Sequence, residues 1–312
     1  MSTRTILRCC FAFLAALFLS ASAHAAVLFR AYLASDGNDA NPCTLAAPCR
    51  LLPAALAAVA DGGEIWMLDS ANYNAATVTI GKSVSILAIP GAVGSVVATG
   101  GSAISITAAG LEVALRNLAI VPLPGGGSSY GVNMTGASSL TIEHGLIANL
   151  LGIGVLVQGT GTVKIADTII RNCGGAAVWL VDGAAGAISR TQMLGNGDGG
   201  VVVASFTATT TIASVSDSVV SEGTWGVTAQ ASFGGATSKA FVTRSTIEAT
   251  DFALRSSATA GTSLVTASYS MVTKNGFGWY QSGAGSVIKT LGNNHIEDNT
   301  STSGSLTSAA LQ

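Results

Sequence analysis

The sequence predicts an all-β solenoid closed at its N-terminal end by a short helix, and three observations carry that prediction. An eight-residue unit recurs: IADTIIRN from Ile165 has degenerate copies starting at Ile142, Ser189, Val215, Val242, Ala267 and Leu291, at steps of 23, 24, 26, 27, 25 and 24 residues. A period of that length with strand composition inside each unit marks stacked coils. Only 10% of the 312 residues are charged, 49% are hydrophobic and 38 are glycine, the composition of thin coils that cover their strands on both sides and turn tight corners. Ahead of the first coil, LLPAALAAVA places Leu51, Leu52, Leu56 and Val59 on one helical face, with Pro53 in the first turn and Gly62-Gly63 as the expected stop. A helix there would shield the open strand edges of the first coil.

Residues 1–25 read as a cleaved secretory leader. Arg4 and Arg8 precede the apolar run FAFLAALFL, and Ala23-His24-Ala25 supplies a small-residue cleavage site. Residues 26–63 then form an N-terminal cap and 64–312 the coils. Losing the leader's two arginines leaves 12 basic residues against 16 acidic ones, which offers no field for nucleic acid or anionic lipid. No later stretch is apolar for long enough to be a transmembrane segment. The expected product is exported, periplasmic or extracellular, and carries no signature of an oligomeric state. Cys43 and Cys49 sit in the proline-bounded loop NPCTLAAPCR and in an oxidising compartment are expected to form a disulfide. Cys173, with no histidine beside it, reads as small filler and not as a nucleophile.

The segment from Phe29 to Tyr73 resembles the opening of secreted parallel β-helix proteins of the pectate-lyase-like superfamily. The likeness rests on Ser35-Asp36-Gly37-Asn38-Asp39, Asn41-Pro42, Pro48 and the stretch from Gly63-Glu64-Ile65 to Tyr73. It departs at Cys43 and Cys49, where that opening usually carries a glycine and an aromatic. With the later repeat included, the resemblance implies a right-handed, single-stranded parallel β-helix over nearly all of the mature chain. It does not imply one activity, because the superfamily hosts lyases, hydrolases and adhesins.

Within the repeat, the first octad position (Ile142, Ile165, Val215, Val242, Leu291) and the sixth (Ile147, Ile170, Leu194, Val220, Ile247, Val272, Ile296) are aliphatic and should stack inward. The third position, His144, Asp167, Thr191, Asp217, Arg244, Tyr269 and Asn293, reads as a solvated corner, since Asn, Asp and His tolerate bend geometry. Asn172, Asn196 and Asn275 read as turn residues that satisfy backbone groups between coils. The longest insertion runs from Pro122 to Ser129. After each octad comes a further strand with Val132, Val155, Val178, Val201, Val227, Leu254 and Trp279 inward. Its outward row is then Asn133, Leu156, Trp179, Val202, Thr228, Arg255 and Tyr280.

Those outward residues are the candidate site. Trp179 with Gln158, Thr228, Gln230, Arg255 and Tyr280 combines an apolar stripe with amide, hydroxyl and guanidinium donors, the mixture that stacks on sugar rings and bonds their hydroxyls. The competing expectation is that the returns at 205–211 and 231–238 cover the stripe, and that Trp225 and Trp66 are packing residues. Enzymes of the resembled superfamily run lyase chemistry with carboxylates, calcium and a base, or hydrolase chemistry with paired aspartates. Neither cluster occurs in the rows, and no metal or cofactor is expected. The favoured function is therefore a non-catalytic extracellular protein that contacts polysaccharide or a cell-surface glycan. A polysaccharide lyase or glycoside hydrolase with loop-borne catalytic residues comes second, and a purely structural solenoid third.

Overall fold

The computed structural model describes residues 27–125, 127 and 130–309, so the expected leader lies outside the described residues. The chain winds as a parallel solenoid in which each coil contributes one strand to each of three ladders. Sheet 1 begins with Leu28–Leu33 and Val59–Met67 and passes through Ser139–Glu143, Thr162–Ala166 and Ala185–Ser189. Sheet 2 includes Leu146–Ala148, Ile169–Arg171 and Gln192–Leu194. Sheet 3 includes Tyr130–Met134, Ile153–Gln158, Ala176–Val181 and Gly199–Ser205. Two long strands, Val219–Thr243 and Thr246–Ser268, run unbroken from sheet 2 through sheet 3 to sheet 1.

The interior is dry because like residues meet in register. In sheet 1, Ala31, Ile65, Ile86, Leu115, Ile142, Ile165, Ile188, Val215, Val242 and Ala267 form one unbroken column of paired partners. None of the ten is more than 2% exposed. Burying each large aliphatic member contributes roughly 1.5–3 kcal/mol, which offsets the entropy of ordering such thin coils. Sheet 2 holds a second column, Ile147, Ile170, Met193, Val220, Ile247 and Val272, all fully buried.

The third repeat differs from the expected register by one residue. Ala166 pairs with Ser189, so the unit starts at Ile188, its inward sixth residue is Met193 in place of Leu194, and its corner is Arg190 in place of Thr191. In the last unit only the start is displaced, with Thr290 and not Leu291 opposite Ala267, while Ile296 pairs with Val272 as expected. Trp279 is only partly buried at the end of its column. The helix is shorter than expected, Leu52–Ala58, and stops where Val59 turns extended. Pairing of Val59 with Leu28 outcompetes local helix propensity. Gly62 and Gly63 consequently lie inside the following strand instead of capping the helix. Cys43 and Cys49 are disulfide-bonded with Cα atoms 4.6 Å apart.

Two corners, between sheets 1 and 2 and between sheets 2 and 3, are built from side chains that satisfy backbone across coils. Between sheets 1 and 2, His144, Asp167, Arg190, Asp217, Arg244 and Tyr269 all have left-handed φ, from 46° to 54°. Behind them runs a buried hydroxyl ladder. Thr191, Ser218 and Ser245 each accept the backbone or donate to it: Ser218 Oγ takes the Thr191 N–H at 3.1 Å and donates to the Ser216 carbonyl at 2.7 Å. Ser245 and Ser270 repeat the pattern one and two coils on. At the second corner, buried Asn196 accepts the Cys173 N–H and donates to the Ile170 carbonyl. Asn275 does the same for Thr250 and Ile247. Asn172 is different, an exposed left-handed residue that bonds the Asn149 side chain.

The exposed face of the first corner carries an ionic ladder. Arg190 grips Asp167 through two bonds of 2.7 and 2.8 Å, and Arg244 grips Asp217 at 2.7 and 2.9 Å. Bonds from these guanidiniums hold both carboxyls below the ordinary aspartate range. Carboxyls depressed in the folded state contribute stability above the unfolded value of about 4 and lose it as pH falls through the folded values. The melting temperature of the native chain should thus fall more steeply below about pH 4 than that of an Asp167→Asn/Asp217→Asn double variant. Parallel acid profiles in a thermal-melt series would refute this.

Candidate functional site

The outward row of sheet 3 is assembled as the sequence predicts. Asn133, Leu156, Trp179, Val202, Thr228, Arg255 and Tyr280 are successive strand partners, with Gln158, Val181, Ala204, Gln230, Ser257 and Ser282 in the parallel row two residues on. The six candidate residues therefore share one face, Trp179, Thr228, Arg255 and Tyr280 in the first row and Gln158 and Gln230 in the second. Their inward neighbours Val132, Val155, Val178, Val201, Val227 and Leu254 are fully buried, which fixes the orientation of the row by simple alternation.

A third outward row escaped the sequence reading. Ala176, Gly199, Trp225, Phe252 and Phe277 are paired in register along the leading edge of sheet 3. The residue after Trp225 is Gly226, where a Cβ would come within 2.5 Å of the Ile247 side chain. The backbone there faces the core and accepts no side chain, so the large ring is displaced outward. Trp225 does pack, as expected, but on the outer surface, where it and Trp179 enclose Ala176, Val202 and Ala204. Phe252 and Phe277 stack with centroids 5.1 Å apart, and Tyr280 meets both edge-on at 4.9 and 5.5 Å. The guanidinium of Arg255 reaches back one coil to lie 5.3 Å from the Trp225 ring centroid. The signal available in the sequence was an aromatic placed two residues before an inward aliphatic, in Trp225-Gly226-Val227 and Phe252-Ala253-Leu254.

Gln230 donates to the Ser232 hydroxyl at 3.3 Å, but several other polar groups of this face lack partners. Six buried side-chain polar atoms are unbonded among the described residues, and four of them belong to the one outward row: Asn133 Oδ1, Trp179 Nε1, Thr228 Oγ1 and Arg255 Nη1. Thr228 is fully buried although it points away from the core. Burial lowers the Arg255 pKa from its ordinary value, opposed only by Tyr280. Each orphaned group costs about 1–3 kcal/mol, more for a charge. The returns at 205–211 and 231–238 supply no partner for these atoms. The first bonds Asp182, through the Phe206 and Thr207 N–H groups, and Ser205, Thr211 and Ser238 bond one another. Phe206 and Phe233 at their tips are exposed.

Catalytic groups are not gathered on this face. Asp182, the carboxylate nearest it in sequence, is engaged by the 205–211 return. Among the described residues no three His, Cys, Asp or Glu side chains are placed to hold a metal ion. Cys173 is buried, and that burial pushes its thiol up to about 11, far from a thiolate at neutral pH. Carboxylates and basic groups that meet beside a cleft do so elsewhere, Glu143 with Arg116 at 2.8 Å on the outer face of sheet 1 and Asp167 with Arg190 at 2.7 Å at the corner between sheets 1 and 2.

A family model described as the right handed beta helix region matches residues 103–300. No protein with a curated description matches the chain by sequence. Among solved structures, pectate lyase Pel9A is similar with a TM-score of 0.64 and 14% identity over 90% of this chain and 77% of its own. An alginate lyase from Paenibacillus sp. str. FPU-7 has a TM-score of 0.56 and 12% identity over 90% of this chain and all of its own. XylC in complex with xylose has a TM-score of 0.55 and 8% identity, covering 90% and 70%. At these identities the likeness is one of fold.

Proposed function

From the premise that this chain belongs to the right-handed β-helix family, we propose that it is an exported, non-catalytic protein that binds an extended polysaccharide bearing acidic groups along the outer face of sheet 3. One observation carries this reading: four buried, unpartnered polar atoms lie in a single outward row, interleaved with aromatic rings. A sugar chain offers hydroxyls for the partly exposed Asn133 and Trp179 and apolar ring faces for the aromatics. Arg255, a partly buried cation with no carboxylate in its row, calls for an acidic substituent. From Asn133 to Arg255 the row spans five strand steps, about 24 Å at ~4.8 Å per step, so the ligand is a polymer and not a monosaccharide. The similar structures, two polysaccharide lyases and a xylose complex, support a carbohydrate. The Cys43–Cys49 disulfide supports export.

The test is a binding titration with polygalacturonate, alginate and unsubstituted xylan, scored together with release of unsaturated products and new reducing ends. Expected are binding to the acidic polymers, no product release, and weakening of about tenfold or more on Arg255→Ala, since a bond to a charged group contributes about 1.5–3 kcal/mol. Trp179→Ala should also weaken binding. Product release would replace this reading with the lyase or hydrolase one, and binding to none of the polymers would favour the structural solenoid.

A further inference from the structure

On the opposite side of the solenoid, the outer face of sheet 1 holds a cleft of about 430 Å³, within the range of small-molecule sites. Its floor is a row of small residues, Ser85, Ala114 and Thr141, paired in register. Longer side chains, Glu112, Arg116 and Lys164, rise around it. Arg116 is occupied: its Nε donates to Glu143 at 2.8 Å and its Nη1 to Ser85 at 3.3 Å. The Glu112 carboxylate and the Lys164 ammonium have no hydrogen-bond or ion-pair partner among the described residues, and both are exposed. Lys164 lies two strands and two residues from Glu112 in the ladder, about 12 Å between backbones at ~4.8 Å per strand and ~3.3 Å per residue.

We infer that this cleft is a second binding site, for a zwitterion of about tripeptide length whose amine faces Glu112 and whose carboxylate faces Lys164. The free charges are of opposite sign, Lys164 on the last of the five strands that line the cleft and Glu112 on its rim two strands back, and the remaining pair, Arg116 and Glu143, is neutral as a unit. A ligand carrying one charge at each end matches that pattern, whereas a polyanion would meet Glu112 and a polycation Lys164. Three extended residues reach about 10–11 Å, which fits once both side chains lean inward. The Thr141 hydroxyl is available to the amide groups in between, and Ser85, whose oxygen accepts from Arg116, can still donate its O–H. Among the described residues no aromatic lines the cleft, which sets it apart from the aromatic-bearing face of sheet 3.

Calorimetric titration with trialanine, N-acetyl-trialanine, trialanine amide and xylotriose tests the inference. Trialanine should bind saturably at one site, and capping either end should weaken it at least tenfold. In Glu112→Gln the penalty for acetylating the amine should vanish, and in Lys164→Gln the penalty for amidating the carboxylate, the pattern a double-mutant cycle assigns to direct pairing. Both side chains are exposed, so each variant should keep the native melting temperature. Failure of trialanine to saturate in the millimolar range, equal binding of all three peptides, or saturation by xylotriose instead would overturn it. None of these outcomes depends on polysaccharide binding by sheet 3.

Discussion

Ile165→Ala is expected to cost about 2–5 kcal/mol of stability, the range for emptying a fully packed aliphatic site. Ile165 is 1% exposed and stands in register between Ile142 and Ile188, themselves 2% and 1% exposed. Removing its side chain leaves a void with the same neighbours above and below, and a solenoid coil touches only those neighbours. Relaxation is limited because moving either coil to fill the gap would break hydrogen bonds in all three ladders. Urea denaturation should show a lower midpoint and, since nearest-neighbour coupling is weakened at one rung, a broader transition. Ile169→Ala provides the matched comparison: the same residue type, four positions on, 38% exposed on the outer side of sheet 2, where the loss should stay within about 0.5 kcal/mol. If the two variants unfold alike, the interior column does not carry the fold.

That column was legible before any coordinates because identical residue types return at the coil period, and a buried stack tolerates only aliphatics. The slip in its third repeat is instructive. Aligning the third repeat on its terminal asparagine equated Asn196 with Asn172. The two occupy adjacent places in the corner: Asn172 and Gly195 are both left-handed, with φ of 54° and 62°, while Asn196 sits one residue further on and bonds the Cys173 N–H. Asparagine is suited to either place, by conformational tolerance in the first and by paired amide bonds in the second, so its identity does not fix register. The hydroxyl ladder was hidden by the same slip, since Thr191 joins Ser218 and Ser245 only in the corrected alignment.

The candidate site divides in the same way. Trp179, Thr228, Arg255 and Tyr280 were found by alternation, which holds in the middle of a strand. Trp225, Phe252 and Phe277 stand where sheet 3 leaves its corner. There the glycine or alanine that follows each turns toward the core, and period two breaks down. Pattern reasoning could place them on the strand but not on a face. Their outward position is a consequence of packing against Ile247 and its neighbours in sheet 2, a contact between residues about 20 positions apart.

Gly199→Ala should be as damaging as emptying the column, by about 3 kcal/mol or more, and should disable the proposed polysaccharide face at the same time. Gly199 has φ of +111°, a region in which an L side chain is strained by about 1–3 kcal/mol. Its Cβ would also run into the carbonyl oxygen of Trp225 on the next coil. Backbone, unlike a side chain tip, cannot swing aside, and overpacking of this kind costs a further ~1–3 kcal/mol. Because Trp225 is the strand partner of Gly199, the least costly relief is to push the next coil away, which separates Trp225 from Trp179. The variant should lose urea stability and weaken acidic-polysaccharide binding even in the fraction that remains folded. Gly81→Ala is the control, having an ordinary φ and open space around the added methyl, and should be neutral or stabilising by about 0.4–1 kcal/mol. A Gly199→Ala protein with native stability and undiminished binding would mean that Trp225 does not lean on that backbone, and the outward aromatic row would need another explanation.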